Sequence, residues 1–435
     1  MLDELREAAA RQRQARLLSL LKLGSKRLLS ERGEMNGVPL ARALIERLDG
    51  VDDEQLDGFF DYLARDLDPD PQAVLRCAQA YAQQPDAQNL IALSAAAEPP
   101  RQELLRRLNR SPGGTAAVLR LRRALLRRLP RRPDLQALDA DLRHLLGSWF
   151  NPGFLNMQRV DWNAPAVLLE KLILHEAVHA IDGWDDLRRR LQPDRRCFAF
   201  FHPQLPDEPL IFVEVALLPE MPDAIAPLIQ KDSTPLAPER FRVAAFYSIS
   251  NCEPGLRGVS LGNFLIKQVA EQLQREWPRL KTFCTLSPIP GFAAWLRSGP
   301  DLATLPGLGR GAGTRLQAAQ QTLLEACGGD LDALHNPLRH AQLPEPAQAA
   351  LTTLAAAYLG HASTLPTGDP VARFHLDNGA RLERLNPGGN MAPKGLRQSF
   401  GMMVNYLYDL DRIEASHDKF RRGTVARSRA VAALL

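Results

Sequence analysis

VAAFYSISNCEPGLRGVSLGNFLIKQVAEQLQREW, residues 243–277, joins two hydrophobic patterns through a glycine-bearing turn. VAAFYSIS is rich in β-branched and aromatic residues and reads as a strand. NFLIKQVAEQLQREW, 263–277, spaces its apolar residues as an amphipathic helix does. A turn of this kind opening a helix presents unpaired backbone N–H groups and the positive end of a helix dipole. That is a ready anion site, suited to a pyrophosphate. Gly258 and Gly262 would let such a ligand approach the backbone closely. The turn is neither a Walker loop nor a dinucleotide fingerprint, and an ordinary strand-to-helix turn has the same composition.

Further strands lie to either side. CFAFFH (197–202), PLIFVEVALL (209–218) and LKTFCTLS (280–287) are β-rich and interleave with helical patterns, which indicates an α/β or α+β catalytic-type domain. It begins where the texture changes, at SWFNPGF (148–154), and runs from 148 to 435. A helical insertion occupies about 301–365, after the glycine string GLGRGAG, which is read as a linker. Residues 1–147 read as all helix, with breaks at DLDPDP, AAEPPR, RSPGG and LPRRPD. In the arginine-rich part of that region Val118, Leu121, Leu125 and Leu129 form one stripe, with Arg120, Arg123 and Arg127 off it. A helix with a solvated basic face accounts for this, and no stacking aromatics are interleaved, so nucleic acid is not an expected partner.

The composition is that of a folded protein without special chemistry. Of 435 residues, 45% are apolar and 24% charged, and the formal net charge is +4. Five cysteines, at 77, 197, 252, 284 and 327, form no C-x-x-C pair and read as reduced thiols. No run of 18 apolar residues suggests a membrane span. The N-terminus begins acidic and has no continuous apolar core, and Asp3, Glu4 and Glu7 offset arginines that could suit a targeting peptide, so neither a secretory signal nor a transit peptide is expected. The expected compartment is the cytoplasm.

LILHEAVHAIDGW, residues 172–184, contains the zinc-peptidase pattern H-E-x-x-H at His175, Glu176 and His179. APAVLLEKLILHEAVHAI reads as one helix, capped by Asn163 and closed near Asp182-Gly183, which would set the two imidazoles one turn apart. A third ligand is missing. In the extended motif Asp182 stands where glycine belongs and Asp185 where histidine belongs. Glu208 sits in what reads as a proline-flanked turn, and Glu214 lies inside a strand. No metal site is therefore expected.

Two more places can carry chemistry. In LSPIPGF (286–292) the prolines hold Ser287 extended at a strand end, suited to hydrogen bonding, although Ser-Pro also starts ordinary turns. RFHLDNGARLERL (373–385) reads as a hairpin turning at Asn378-Gly379. Strand alternation then puts His375 on the face of Arg373 and Asp377, where it either titrates usefully or is a plain surface histidine.

LLSERGEMNGVPLARAL (28–44), RRCFAFFHPQLPDEPLIFVEVAL (195–217), FYSIS, GLRGVSLGNFLIKQVAEQLQREWP, TLSPIPGF and DPVARFHLDNGARLERLN (369–386) together resemble the malonyl-CoA decarboxylase family, in order, from about 28 to 410. The resemblance implies an N-terminal helical oligomerisation domain (1–147) and a C-terminal catalytic domain of the GNAT acyl-CoA transferase type (148–435). It also implies self-association as tetramers or dimers of dimers. It makes Arg257, Gly258, Val259, Ser260, Leu261, Gly262 and Asn263 the CoA-binding segment, and Ser287 and His375 the catalytic pair. The substrate would be malonyl-CoA, with no metal, biotin or PLP, because the thioester itself is the electron sink. His375, with an imidazole pKa of about 6.5, would protonate the enolate carbon, and Ser287 would hold the carboxylate or thioester. A GNAT-fold transfer of an acyl group to an amine is the alternative, and a zinc hydrolase a remote one.

Overall fold

A computed structural model describes residues 2–30, 35–259, 261, 265–309 and 311–435. The chain forms two compact units. The first holds Met1–Asn156 with Phe201–Glu208 and Glu253–Leu261; the second holds Met157–Phe200, Pro209–Cys252 and Gly262–Leu435.

In the first unit helices begin where the sequence supplies caps. Asp52 and Gln55 close a reciprocal capping box on the helix Asp53–Asp61, at 2.8 and 3.1 Å. Asp70 ahead of Pro71 starts Pro71–Gln83, and Asp86 starts Ala87–Ala97. In the helix Gly114–Arg128, Val118, Leu121 and Leu125 are buried while Arg120 and Arg127 are exposed, as the stripe predicts. Arg122, which the stripe leaves unassigned, is 1% exposed.

The strands are β1 (Asn156–Val160), β2 (Arg195–His202), β3 (Leu205–Leu218), β4 (Val243–Asn251), β5 (Thr282–Thr285), β6 (Ser287–Pro288), β7 (Arg381–Asn386) and β8 (Met403–Leu407). They make one mixed sheet in the order β1-β2-β3-β4-β5-β8-β6, with β7 on β8. From Pro209 onward β3 is buried at every position, which is why it reads as a continuous apolar run rather than an alternation. Against antiparallel β4 the register slips by one: Glu214 faces Ser248 and Val215 faces Phe246, leaving Tyr247 as a bulge. β4 and β5 run parallel from Val243↔Thr282 to Phe246↔Thr285; there β5 stops while β4 continues to Asn251. The sheet thus parts at its parallel pair. The helix Leu265–Glu276 buries Leu265, Ile266, Val269, Ala270 and Leu273, its expected apolar face. The architecture is α+β, with a helical N-terminal region ahead of the mixed sheet. Within 301–365, the helices Ala312–Ala326 and Glu345–Gly360 pack on each other.

Three local expectations are overturned. The helix through HEAVH starts after Pro165, not at an Asn163 cap, and ends at His175. Glu176 turns extended, and its carboxylate accepts from Val178 N at 2.8 Å and His179 N at 2.7 Å. The carbonyls of Ala177 and Val178 are taken by Lys394 Nζ, so tertiary partners satisfy the backbone that a continued helix would have satisfied itself. Glu208 lies within β3, not in a turn.

The third correction concerns His375. RFHLDNG is no hairpin arm: Pro370–Asp377 is a helix. Asp369 caps it, accepting from Val371 N and Ala372 N at 3.0 Å each, and Pro370 occupies the first turn. Asn378-Gly379 ends it: Gly379 takes φ +77°, and Ala380 N donates back to His375 O at 3.0 Å. That is the left-handed helix ending glycine favours. Only the second arm, β7, is a strand, and its partner is β8.

Candidate active site

Ser287 and His375 meet inside the second unit. β6 presents Ser287 opposite Val404 of β8, and the helix Pro370–Asp377 turns His375 inward, leaving it 4% exposed. Ser287 Oγ lies 3.1 Å from His375 Nε2 and donates to Thr285 Oγ1 at 2.9 Å. On the other side of the ring, Nδ1 is 2.8 Å from Tyr408 Oη. With the serine proton committed to Thr285, Nε2 must carry the ring proton and donate it to Ser287, while Nδ1 accepts from the tyrosine. The hydrogen bonds therefore run in one direction, from Tyr408 through His375 and Ser287 to Thr285.

Packing holds the imidazole. Tyr406 stacks on it, with centroids 4.7 Å apart, and Phe374 meets it edge-on at 5.1 Å. Burial pushes the His375 pKa down to about 3, so the ring is neutral at physiological pH. The expected ordinary imidazole pKa is thus corrected, because the ring stands in the interior and not among Arg373 and Asp377.

One carboxylate joins the segments that carry Ser287 and His375. While Asp369 Oδ1 caps the His375 helix, its Oδ2 accepts from Gly291 N at 3.0 Å, in the Pro-Ile-Pro-Gly turn that follows Ser287. A side chain at Gly291 would strike the Tyr358 hydroxyl at 2.2 Å, so the approach needs glycine.

Where β4 and β5 part, a cavity of about 260 Å³ opens onto Ser287 and His375. Its walls include Val213, Phe246, Ile249, Leu265, Val371 and Phe374, and no Lys or Arg is among the described lining residues. The HEAVH segment serves this wall. Glu176 Oε2 accepts from Ser248 Oγ at 2.6 Å and Ser250 Oγ at 3.1 Å, both on β4. His179, buried and held near pKa 3 mainly by desolvation, hydrogen-bonds the backbone of the bulged Tyr247, and Val178 itself lines the cavity. These contacts make the pentapeptide a clamp on β4. Among the described residues no group of three His, Cys, Asp or Glu side chains has the arrangement of a metal site.

Comparison with known proteins decides the family. The profile of the malonyl-CoA decarboxylase C-terminal domain matches residues 153–435, and that of the N-terminal domain matches 67–150. The chain belongs to the malonyl-CoA decarboxylase family. It is 36% identical over 325 residues to a mouse relative named "Malonyl-CoA decarboxylase, mitochondrial", covering 71% of this chain and 65% of the relative. A relative of the same name from Anser anser anser is 37% identical over 328 residues, covering 72% of this chain and 64% of the relative. The chain thus matches just under two thirds of the length of these curated relatives. Two crystal structures named malonyl-CoA decarboxylase are similar over nearly their whole length. That from Rhodopseudomonas palustris is 47% identical with a TM-score of 0.83, covering 96% of this chain and 99% of the other. That from Agrobacterium vitis is 44% identical with a TM-score of 0.81, covering 95% and 99%.

Of the segment expected to bind CoA, Arg257, Gly258, Val259 and Leu261 are described, whereas Ser260, Gly262 and Asn263 lie outside the described residues. Gly258 takes φ +74°, a conformation that favours glycine. Thr285, Asp369 and Tyr408 escaped the sequence reading. MVNYLYD, 403–409, carried a usable signal for the last, since its aromatic and β-branched residues suit a strand. No helix among the described residues is long and apolar enough to cross a membrane.

Proposed function

We propose that this chain decarboxylates malonyl-CoA to acetyl-CoA and CO2. The observation that carries the reading is the Ser287–His375 contact, buried at the mouth of an apolar cavity in a chain of this family. The malonyl carboxylate, placed against apolar walls, loses the hydration that stabilises its charge; loss of CO2 disperses that charge into the thioester enolate. On substrate binding the Ser287 hydroxyl turns its proton from Thr285 Oγ1 to the carboxylate or the thioester oxygen. His375 then delivers its Nε2 proton to the enolate carbon as Tyr408 supplies Nδ1, and solvent restores the tyrosine proton. Overall one proton is consumed, and the C–CO2 bond is exchanged for a C–H bond. Residues 257–263 anchor CoA, which arrives as part of the substrate. The thioester carbonyl accepts the electron pair, so the chemistry requires no metal, biotin or PLP.

The test is CO2 release from malonyl-CoA with no amine present. Stoichiometric acetyl-CoA supports the decarboxylase, and a strict need for an amine would transfer the case to the GNAT-type acyltransferase. The buried, neutral His375 also fixes the pH dependence. An imidazolium donor would lose kcat/KM about tenfold per pH unit above roughly 6.5. A neutral donor whose folded pKa is about 3 has no such limb, so kcat/KM stays level from neutral into mildly alkaline buffer. A descending limb with its midpoint near 6.5 would contradict the assignment.

The division at 147/148, with its helical insertion at about 301–365, gives assembly to the first region and chemistry to the second. Helices Pro71–Gln83 and Ala87–Ala97 support this: they pack on each other, bury no residue fully, and expose Leu75, Leu90 and Ile91. A Leu75→Glu/Ile91→Glu variant should run at a lower mass than the tetramer or dimer of dimers in light scattering while keeping its helical content. An unchanged mass would place the contact elsewhere. A cytoplasmic setting suits five cysteines that form no disulfide.

A further inference from the structure

The helical unit does more than present a surface for assembly. Arg122, from the helix Gly114–Arg128, reaches into the turn that precedes the expected CoA segment. Its Nη1 donates to Gly255 O at 2.6 Å, its Nη2 to Arg257 O at 2.8 Å, and its Nε to Asp139 at 2.9 Å. The same turn is gripped twice more. Glu253 caps it by accepting from Gly255 N at 2.6 Å and pairs with Arg123 at 3.3 Å. A Cβ on Gly255 would meet Leu119 O at 2.7 Å, so the backbone lies directly on the helix.

The consequence follows from peptide geometry. No peptide bond among the described residues is cis, so each C=O there points opposite to the N–H of the next residue. Drawing Arg257 O towards Arg122 therefore turns Gly258 N–H away from the helix. Leu256 N–H, set in the same way by Gly255 O, donates within the turn to Glu253 O at 3.0 Å. Gly258 N–H has no acceptor among the described residues. Arg143, exposed, runs alongside Gly258, its Cδ 3.7 Å from where a Cβ would stand. Arg143 beside the turn adds positive potential where an anion would meet that N–H, whereas Arg122, paired with Asp139, acts through the two carbonyls it holds.

We infer that Arg122 is a positioning residue for the phosphate end of CoA: by holding the carbonyls of Gly255 and Arg257 it aims the Gly258 N–H at the pyrophosphate. The inference rests on the reading of 257–263 as the CoA anchor. It predicts that Arg122→Gln raises KM for malonyl-CoA about 10–100-fold, as expected when a charge-assisted bond that sets a binding group is lost. Arg122→Lys, which keeps the charge without the planar fork, raises it less. With malonyl-pantetheine, which lacks the pyrophosphate and nucleotide, both variants should match the wild type in kcat/KM.

An equal loss with both thioesters would mean that Arg122 only supports the fold, and an unchanged KM for malonyl-CoA would mean that it positions nothing; either overturns the inference. If Arg122→Gln does not fold, Arg122→Lys decides on the same comparison. Should the wild type release no CO2 from either thioester, it is the decarboxylase reading that fails. Calorimetric binding of free CoA by wild type and Arg122→Lys then still tests the positioning role, which equal affinities would overturn.

Discussion

Replacing His375 with glutamine should lower kcat for CO2 release from malonyl-CoA by about 10²–10⁴-fold, the usual contribution of a positioned proton donor. Glutamine keeps much of the volume and an amide N–H beside Ser287, so the packing against Tyr406 and Phe374 survives. It cannot give a proton to carbon and regain one from Tyr408. The affinity for free CoA should stay close to wild type, because the substitution touches the acyl end of the substrate. The decisive measurement is single-turnover CO2 release, paired with CoA binding by calorimetry. Turnover close to wild type would remove His375 from the proton path.

Ser287→Ala should cost about 10²–10³-fold in kcat, the range seen when one donor to a developing oxyanion is removed. The alanine fits without clash, since it deletes one oxygen from a site that is 5% exposed. It also leaves His375 Nε2–H without its acceptor. Because the two side chains form one hydrogen-bonded unit, the double variant should be little worse than His375→Gln alone. Multiplicative losses would show that the residues act independently. If Ser287→Ala instead raises KM with kcat intact, the serine binds the ground state and does not assist the reaction.

Much of this arrangement was legible in local pattern. Strands β2 to β5 could be read from β-rich runs, because burial on both faces leaves a continuous apolar stretch, and the helix Leu265–Glu276 from a three-to-four spacing, because burial on one face leaves a period. Ser287 could be placed at a strand end, since Pro288 restricts the backbone before it. The roles proposed for Ser287 and His375 came from the ordered resemblance to the family, as no spacing between residues 287 and 375 encodes contact.

The errors share a cause. Asn378-Gly379 suits a hairpin turn and a helix ending equally, because both need a residue at positive φ. Asp369 settles the choice, since its carboxylate caps a helix and grips the turn after Ser287 at once. HEAVH likewise carries a helical period that Glu176 abandons for the hydroxyls of Ser248 and Ser250, more than seventy residues away. The order of elements, the helix caps and the apolar faces are thus properties of neighbouring residues, and they stand in the chain itself. The neutral state of His375, the direction of its hydrogen bonds and the clamp on β4 arise only on folding. They depend on desolvation and on partners remote in the chain, which no local window contains.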